Sequence, residues 1–330
     1  LEYVESIKIY ERLVKRGHGT AEIYDKLANI NYDNANYVEA NKWFEKLSEL
    51  TPEMAPENHF RFATTLKTVS KFQEALNQMK TFVKLKPNEI RSQLFVKNTA
   101  VKSQFEFSKI KPIEINSKAS EYGAFLKGDT LVFSSSRPQI LSNQNSPRTG
   151  QPFTSLYQTI NSATSGFSNP KLFSMGAYSK FNEDSPVFST DGKTMYYTQN
   201  IIAEKSKNKV LNEGFKLYKS TFSNKKWQNS GYISFAQSDS IKMAHPCLNT
   251  EGTMLYFASD LPGTMGKSDL YKVAINEDGT FGTIEPIHAD INTEGRETFP
   301  FVTASNILFF ASDGHPGMGG LDLFSLDLNN

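Results

Sequence analysis

The chain is 330 residues long, enough for two domains that each bury a core. Its 36 Lys and Arg against 35 Asp and Glu leave a formal charge of +1, which argues against nucleic acid or an anionic lipid surface as partner. No apolar run approaches the ~18 residues that would span a bilayer. One cysteine, Cys247, excludes an intrachain disulfide framework and a Cys-rich zinc site, and is expected to be a small buried hydrophobe. The absence of disulfides fits a cytoplasm or a periplasm. The chain starts without Met or a charged-then-apolar leader and stops inside a repeat, so it is expected to be a piece of a longer protein.

Residues 1–104 carry a helical period. Tyr24, Leu27, Ala28, Tyr37, Ala40, Phe44 and Pro52 are matched 35 positions later by His59, Phe62, Ala63, Phe72, Ala75, Met79 and Pro87. Small residues at 28, 40, 63 and 75 let paired helices approach closely, and Pro52 and Pro87 stop the second helix of each pair. Tyr3, Ser6, Tyr10 and Leu13 read as the second helix of an earlier copy, and residues 88–104 as a capping helix. The pattern resembles the tetratricopeptide repeat. The resemblance implies a concave, partner-binding face built from the first helix of each pair, here Asp25, Asn29, Tyr32, Phe60, Thr64 and Lys67. The same positions also suit a solvated helix face on a rigid spacer.

From residue 105 to 330 alternation replaces the helical period. One strand word appears four times: Leu131–Ser136, Met195–Asn200, Leu255–Asp260 and Leu308–Asp313. Three copies follow an opening strand and turn, as in Ser185-Pro186-Val187-Phe188-Ser189-Thr190-Asp191-Gly192, whose Asp-Gly is a hairpin signal. Third strands recur as Ser155-Leu156-Tyr157, Lys216-Leu217-Tyr218, Asp269-Leu270-Tyr271 and Asp322-Leu323-Phe324; fourth strands are weaker, as in Thr280–Ile284. Four-stranded units at this spacing predict a β-propeller. The fold class is therefore multidomain, α then β: a TPR-like solenoid (1–104), a short linker near 103–108, and a propeller (105–330). Segments Pro186–Tyr197, Pro246–Tyr271 and Pro300–Phe324 resemble TolB-like, WD40-like blades; the first copy lacks the opening Pro and turns at Lys127-Gly128-Asp129. Ile115-Asn116-Ser117 with Glu121 and Phe125 matches Ile291-Asn292-Thr293 with Glu297 and Phe301, so residues 105–115 are expected to be the outer strand of a ring-closing blade. Four blades are visible; the family resemblance implies five or six in the intact ring.

Catalytic and metal motifs fail on spacing. Gly263-Thr264-Met265-Gly266-Lys267-Ser268 is not a phosphate loop, because Leu261 stands where its first Gly belongs. Asp260, Asp269, Asp313 and Asp322 recur once per blade where Asp satisfies turn N–H groups, with a loop calcium as the alternative. The five histidines show no ligand spacing, and no G-x-S-x-G elbow exists. Paired carboxylates from separate blades would leave no sequence signature. The expectation is no catalytic, cofactor or metal residues and no enzyme activity, with a propeller hydrolase or lyase as the enzymatic alternative.

Helical repeats followed by TolB-like blades resemble the PorE-type, OmpA-family accessory proteins of the Bacteroidota type IX secretion and gliding machinery. The resemblance implies a periplasmic scaffold at the outer membrane. Its implied partners are a PorP/SprF-type barrel protein and other secretion or gliding components, with peptidoglycan reached through an OmpA-like domain outside this chain. A TolB-like adaptor that captures peptides is the alternative of the binding class.

Overall fold

The computed structural model describes all residues except 1–2, 100–110, 139–144, 147, 165, 174–181, 202–213, 234, 236–240, 288–289 and 330. It divides into two compact units. The first holds residues 1–105 with the segments 145–150 and 312–322; the second holds the rest.

Six helices among the described residues build the first unit: α1 (Tyr3–Lys15), α2 (Ala21–Asp33), α3 (Tyr37–Leu50), α4 (Pro56–Thr68), α5 (Phe72–Leu85) and α6 (Ile90–Thr99). They pair as α2 with α3 and α4 with α5. Thr20 caps α2 by accepting the Ile23 N–H at 3.3 Å, and Pro56 opens α4 where its missing N–H costs nothing. Both second helices end two residues before their proline, at Leu50 and Leu85. Ala28, Ala40, Ala63 and Ala75 are covered; Phe44 against Phe62 fills the gap between the pairs, and Phe60 against Phe82 packs within the second pair. Of the expected capping helix, Ile90–Thr99 is helical; residues 100–104 and the linker near 103–108 lie outside the described residues.

The second unit is a four-blade propeller arrangement of antiparallel meanders. The first sheet holds β1 (Glu121–Lys127), β2 (Thr130–Ser135), β3 (Ser155–Ser162) and two short outer strands on β3, β4 (Gly166–Phe167) and β5 (Lys171–Leu172). The second runs β6 (Glu183–Phe188), β7 (Thr194–Ile201), β8 (Gly214–Ser223), β9 (Lys226–Tyr232). The third runs β10 (Met243–Leu248), β11 (Met254–Ser259), β12 (Asp269–Ile275), β13 (Phe281–Pro286). The fourth has three described strands, β14 (Glu297–Val302), β15 (Ile307–Ser312) and β16 (Asp322–Asp327). The first strands of successive sheets pack on one another, β1 on β6, β6 on β10 and β10 on β14, which makes them the inner strands.

Alternation along each second strand gives the sheet two apolar faces, and neighbouring sheets close over them. Val132 and Leu156 of the first sheet pack against Phe188, Met195 and Tyr197 of the second. Val187, Tyr196 and Leu217 meet Leu248, Leu255 and Phe257 of the third. Cys247, Tyr256 and Leu270 meet Val302, Leu308 and Phe310 of the fourth. The matched Glu121 and Glu297 motifs share one geometry. Glu297 accepts the Thr293 N–H at 2.9 Å and hydroxyl at 2.7 Å, and Glu121 accepts the same two groups of Ser117. Most of the expected outer strand 105–115 lies outside the described residues, and residues 111–115 form no strand.

Candidate functional site

Three of the four inner strands contain the same break, and the fourth shares its backbone geometry. The pairing register shifts between Tyr122 and Phe125, between Asp184 and Val187, and between Ala244 and Cys247, the mark of a β-bulge. The bulged residues are left-handed: Gly123 at φ 58, Ser185 at 51 and His245 at 56, with Phe299 of β14 at 50. Pro follows in three of the four, where it occupies a position that needs no ladder N–H. Glycine in the first sheet meets a steric demand, since a Cβ there would sit 2.8 Å from the Ser185 Cα. The N–H groups freed by the bulges are taken by the preceding sheet: Ser185 donates to Ser134 Oγ at 3.0 Å and His245 to Thr198 Oγ1 at 2.9 Å.

These bulges line a recess of about 580 Å³, within the range of ligand sites. Phe125, Val187, Phe188, Leu248 and Val302 supply apolar wall, while Leu126 and Phe301 are exposed at the mouth. Lys127 is the cation of the lining; its Nζ donates to the Gly192 carbonyl at 3.2 Å and lies over the Phe188 ring. The His245 ring stacks on Phe299 at 3.7 Å between centroids, and Phe299 meets the edge of Tyr122.

The titratable groups here are set by burial. Desolvation drives the His245 imidazole down to about 3, so it is neutral near pH 7, with Nδ1 hydrogen-bonded to Thr298 Oγ1. Burial pushes the Cys247 thiol up to about 11, and its Sγ accepts the Val302 N–H at 3.4 Å. Behind the lining, burial raises the Asp184 carboxyl to about 6, against the pull of the nearby Ser185, Thr198 and Tyr122 hydroxyls. Asp184 Oδ1 and Ser185 Oγ make no well-formed hydrogen bond among the described residues. An apolar recess over a neutral, hydrogen-bonding floor can hold a ligand segment.

The six helical positions named from the repeat are distributed as follows. Asp25 and Asn29 come together in one network: Asp25 Oδ1 accepts Asn29 Nδ2 at 3.1 Å and Asn58 Nδ2 at 2.5 Å, and Asn29 Oδ1 accepts Arg61 at 2.7 Å. Tyr32 is buried beneath the Arg61 guanidinium and edge-on to Tyr37. Phe60 is buried between Phe82 and the Arg91 guanidinium, and Thr64 donates back to the Phe60 carbonyl. Lys67 donates to the Gly317 carbonyl at 2.9 Å within the same unit, and burial lowers its pKa. Sequence reasoning missed Arg61 and Arg91, the buried cations that tie this network together. It also missed the left-handed bulges, whose one available sign was a Pro inside three of the four opening strands.

Turn roles read from sequence take concrete form. Asp269 accepts the Met265 and Gly266 N–H groups, and Asp322 accepts that of Gly319. Gly266 packs so closely that a Cβ would fall 2.2 Å from the Gly295 carbonyl oxygen.

No family model matches the chain, and no curated protein matches it. Among solved structures, a puromycin-hydrolyzing peptidase of Mycobacterium tuberculosis is 12% identical with a TM-score of 0.36, covering 64% of this chain and 38% of that one. A puromycin hydrolase is 14% identical with a TM-score of 0.38, covering 66% and 40%. A putative TolB from Agrobacterium tumefaciens is 16% identical with a TM-score of 0.35, covering 61% and 62%. The chain thus spans less than two thirds of each of these proteins. The likeness is distant, and at these TM-scores it carries no argument about activity.

Proposed function

We propose that this chain is a non-catalytic interaction scaffold of the bacterial envelope. The observation that carries the reading is the axial recess, where apolar walls surround an imidazole and a thiol held in uncharged forms near neutral pH. Such groups are poor proton carriers and good packing surface. Two units built from repeated, well-packed elements lose little ordering entropy on binding, which suits a static anchor.

The blade words Pro186–Tyr197 and Pro246–Tyr271, and the helical repeats before them, support placing the scaffold in the periplasm at the outer membrane. There it would hold a PorP/SprF-type barrel and other secretion or gliding components. The cell wall would be reached through an OmpA-like domain outside this chain. Pull-down from detergent-solubilised envelope tests this directly. An outer-membrane barrel should be recovered with the wild-type chain, and recovery of none would refute the assignment.

The volume of the recess also favours a second reading, an adaptor that captures an extended peptide. Peptide libraries titrated against the whole chain separate the two: saturable binding lost in Phe188→Ala supports the adaptor. Glycan and ester substrates should show no turnover; measurable hydrolysis would replace both readings with an enzyme.

A further inference from the structure

Residues 312–322 belong to the helical unit as well, and an asymmetry between its two repeats marks where they seat. Asp25 and Asn29 of α2 are half-buried, but their matches 35 positions on in α4, Phe60 and Thr64, are 6% and 7% exposed. All of residues 58–66 are buried, a stretch of roughly two and a half turns, so α4 is covered on every side. Helices α3 and α5 pack on it, and the Arg91 guanidinium lies over the Phe60 ring. The segment 312–322 closes over Thr64 and Lys67.

The segment meets the helices through its backbone. Lys67 Nζ donates to the Gly317 carbonyl at 2.9 Å. A Cβ on Gly319 would stand 2.8 Å from the Thr64 carbonyl oxygen, and one on Gly320 would stand 2.6 Å from the Tyr37 ring. Asp322 shapes the turn by accepting the Gly319 N–H at 3.0 Å, and its negative charge favours the Lys67 ammonium. About 20 Å³ is left between segment and helices, room for one water and no ligand. The seat is nonetheless lightly held. Met318 and Leu321, its largest apolar side chains, are 44% and 40% exposed, so they bury little apolar area. Glycine at 314, 317, 319 and 320 makes the segment costly to order.

We propose that the face of α4 carrying Phe60, Thr64 and Lys67 is a peptide groove whose resident ligand is the chain's own segment 313–322, and that a partner binds there by displacing it. The partner it fits is a polypeptide turn of the same chemistry. Its backbone carries no side chain where Gly319 and Gly320 pass, and it presents a carbonyl and a carboxylate to Lys67. The resident segment sets the threshold for binding, because a partner's apparent affinity falls by the fraction of grooves that stand open. The inference concerns the helical unit alone and does not rest on the recess or the envelope reading. The barrel pull-down can fail while the groove still binds.

The test is thiol labelling of Thr64→Cys, which lies beneath the segment, with Cys247 buried and silent. In the chain with that change alone, maleimide should react slowly. Adding Gly319→Val, which clashes with the Thr64 carbonyl, should raise the rate at least tenfold, while the Trp43 transition in urea shows that the helices remain folded. Gly320→Ala, a smaller clash against the Tyr37 ring, should act in the same direction and carries the test if Gly319→Val does not fold. A synthetic peptide of residues 312–322, added to the opened chain, should restore slow labelling saturably, and the same peptide bearing G319V should not. Fast labelling with Thr64→Cys alone, or an unchanged rate in both glycine variants, overturns the proposal. An opened groove that neither peptide protects, or that both protect alike, overturns it as well.

Discussion

The helical unit and the propeller repeat themselves by different means. In the helices the recurring quantity is side-chain volume: Ala28 and Ala63, Ala40 and Ala75, Phe44 and Met79 occupy matched, buried positions 35 residues apart. In the propeller's inner strands it is backbone conformation. Gly123, Ser185, His245 and Phe299 share one left-handed geometry while having four unlike side chains. A helix pair is set by how closely two cylinders approach, which volume controls. A bulge is set by φ, which any residue can be forced to adopt at a cost of ~1–2 kcal/mol when its surroundings determine it. Truncation should therefore injure the helices, and added Cβ atoms should injure the bulges.

The two tryptophans allow each unit to be watched alone, Trp43 on α3 and Trp227 on β9. The largest effect is expected from Phe82→Ala, which empties the fully buried site beneath Phe60 and Arg91. A loss of about 4 kcal/mol should appear in urea unfolding followed by Trp43, with the Trp227 transition unmoved. Gly123→Ala comes next. Its Cβ would meet backbone atoms of Ser185 at 2.8 and 3.0 Å, in a conformation L-residues resist. The combined strain predicts about 3 kcal/mol lost from the Trp227 transition. A neutral result would mean that the bulges are not rigidly determined.

Protonation sharpens the comparison within the propeller. Asp184 titrates at about 6 when folded and near ~3.9 when unfolded. Between those values the folded chain holds a proton that the unfolded chain has released, so stability falls as pH rises. His245 titrates at about 3 when folded and near ~6.5 when unfolded. There the unfolded chain binds the extra proton, so stability falls as pH drops. From pH ~4 to ~6 the two slopes oppose each other. In His245→Asn, a residue that tolerates φ > 0, the Asp184 slope stands alone. The Trp227 transition should gain roughly 2–3 kcal/mol relative to wild type on going from pH 6.5 to 4. Asp184→Asn should show the reverse trend. Parallel profiles in all three proteins would rule out this pair as the source.

The legibility of the fold followed the same division. Helix pairing, strand words and third strands could be read because volume and alternation are written in residue type. The first blade departs from its fellows in lacking Pro, yet Gly123 adopts the geometry of Ser185 and His245. Composition hides this, because Ser and Phe are not residues from which φ > 0 is inferred. The recess was likewise invisible, since its walls come from strands some 60 residues apart and only the ring brings Phe125, Val187 and Leu248 together. In the helices, Arg61 and Arg91 each resemble a surface Arg in sequence. Their burial depends on Asp33, Glu57 and Glu89 arriving from neighbouring turns and helices.

The smallest predicted effect tests the backbone argument most directly. Ser185 is buried, left-handed at φ 51, and its Oγ lacks a well-formed hydrogen bond, so the side chain adds little to offset its strain. Its N–H still reaches Ser134 Oγ, and that bond survives any substitution except proline. Ser185→Gly should release ~1–2 kcal/mol of left-handed strain and give back ~0.5–1 kcal/mol through a looser unfolded chain. A net gain of about 0.5–1 kcal/mol in the Trp227 transition is expected. The same change at Phe299 should destabilise instead, because it removes the ring that stacks on His245 and meets Tyr122. If Ser185→Gly lost more than about 1 kcal/mol, the side chain and not the backbone would define the position. The bulges would then have to be explained one at a time.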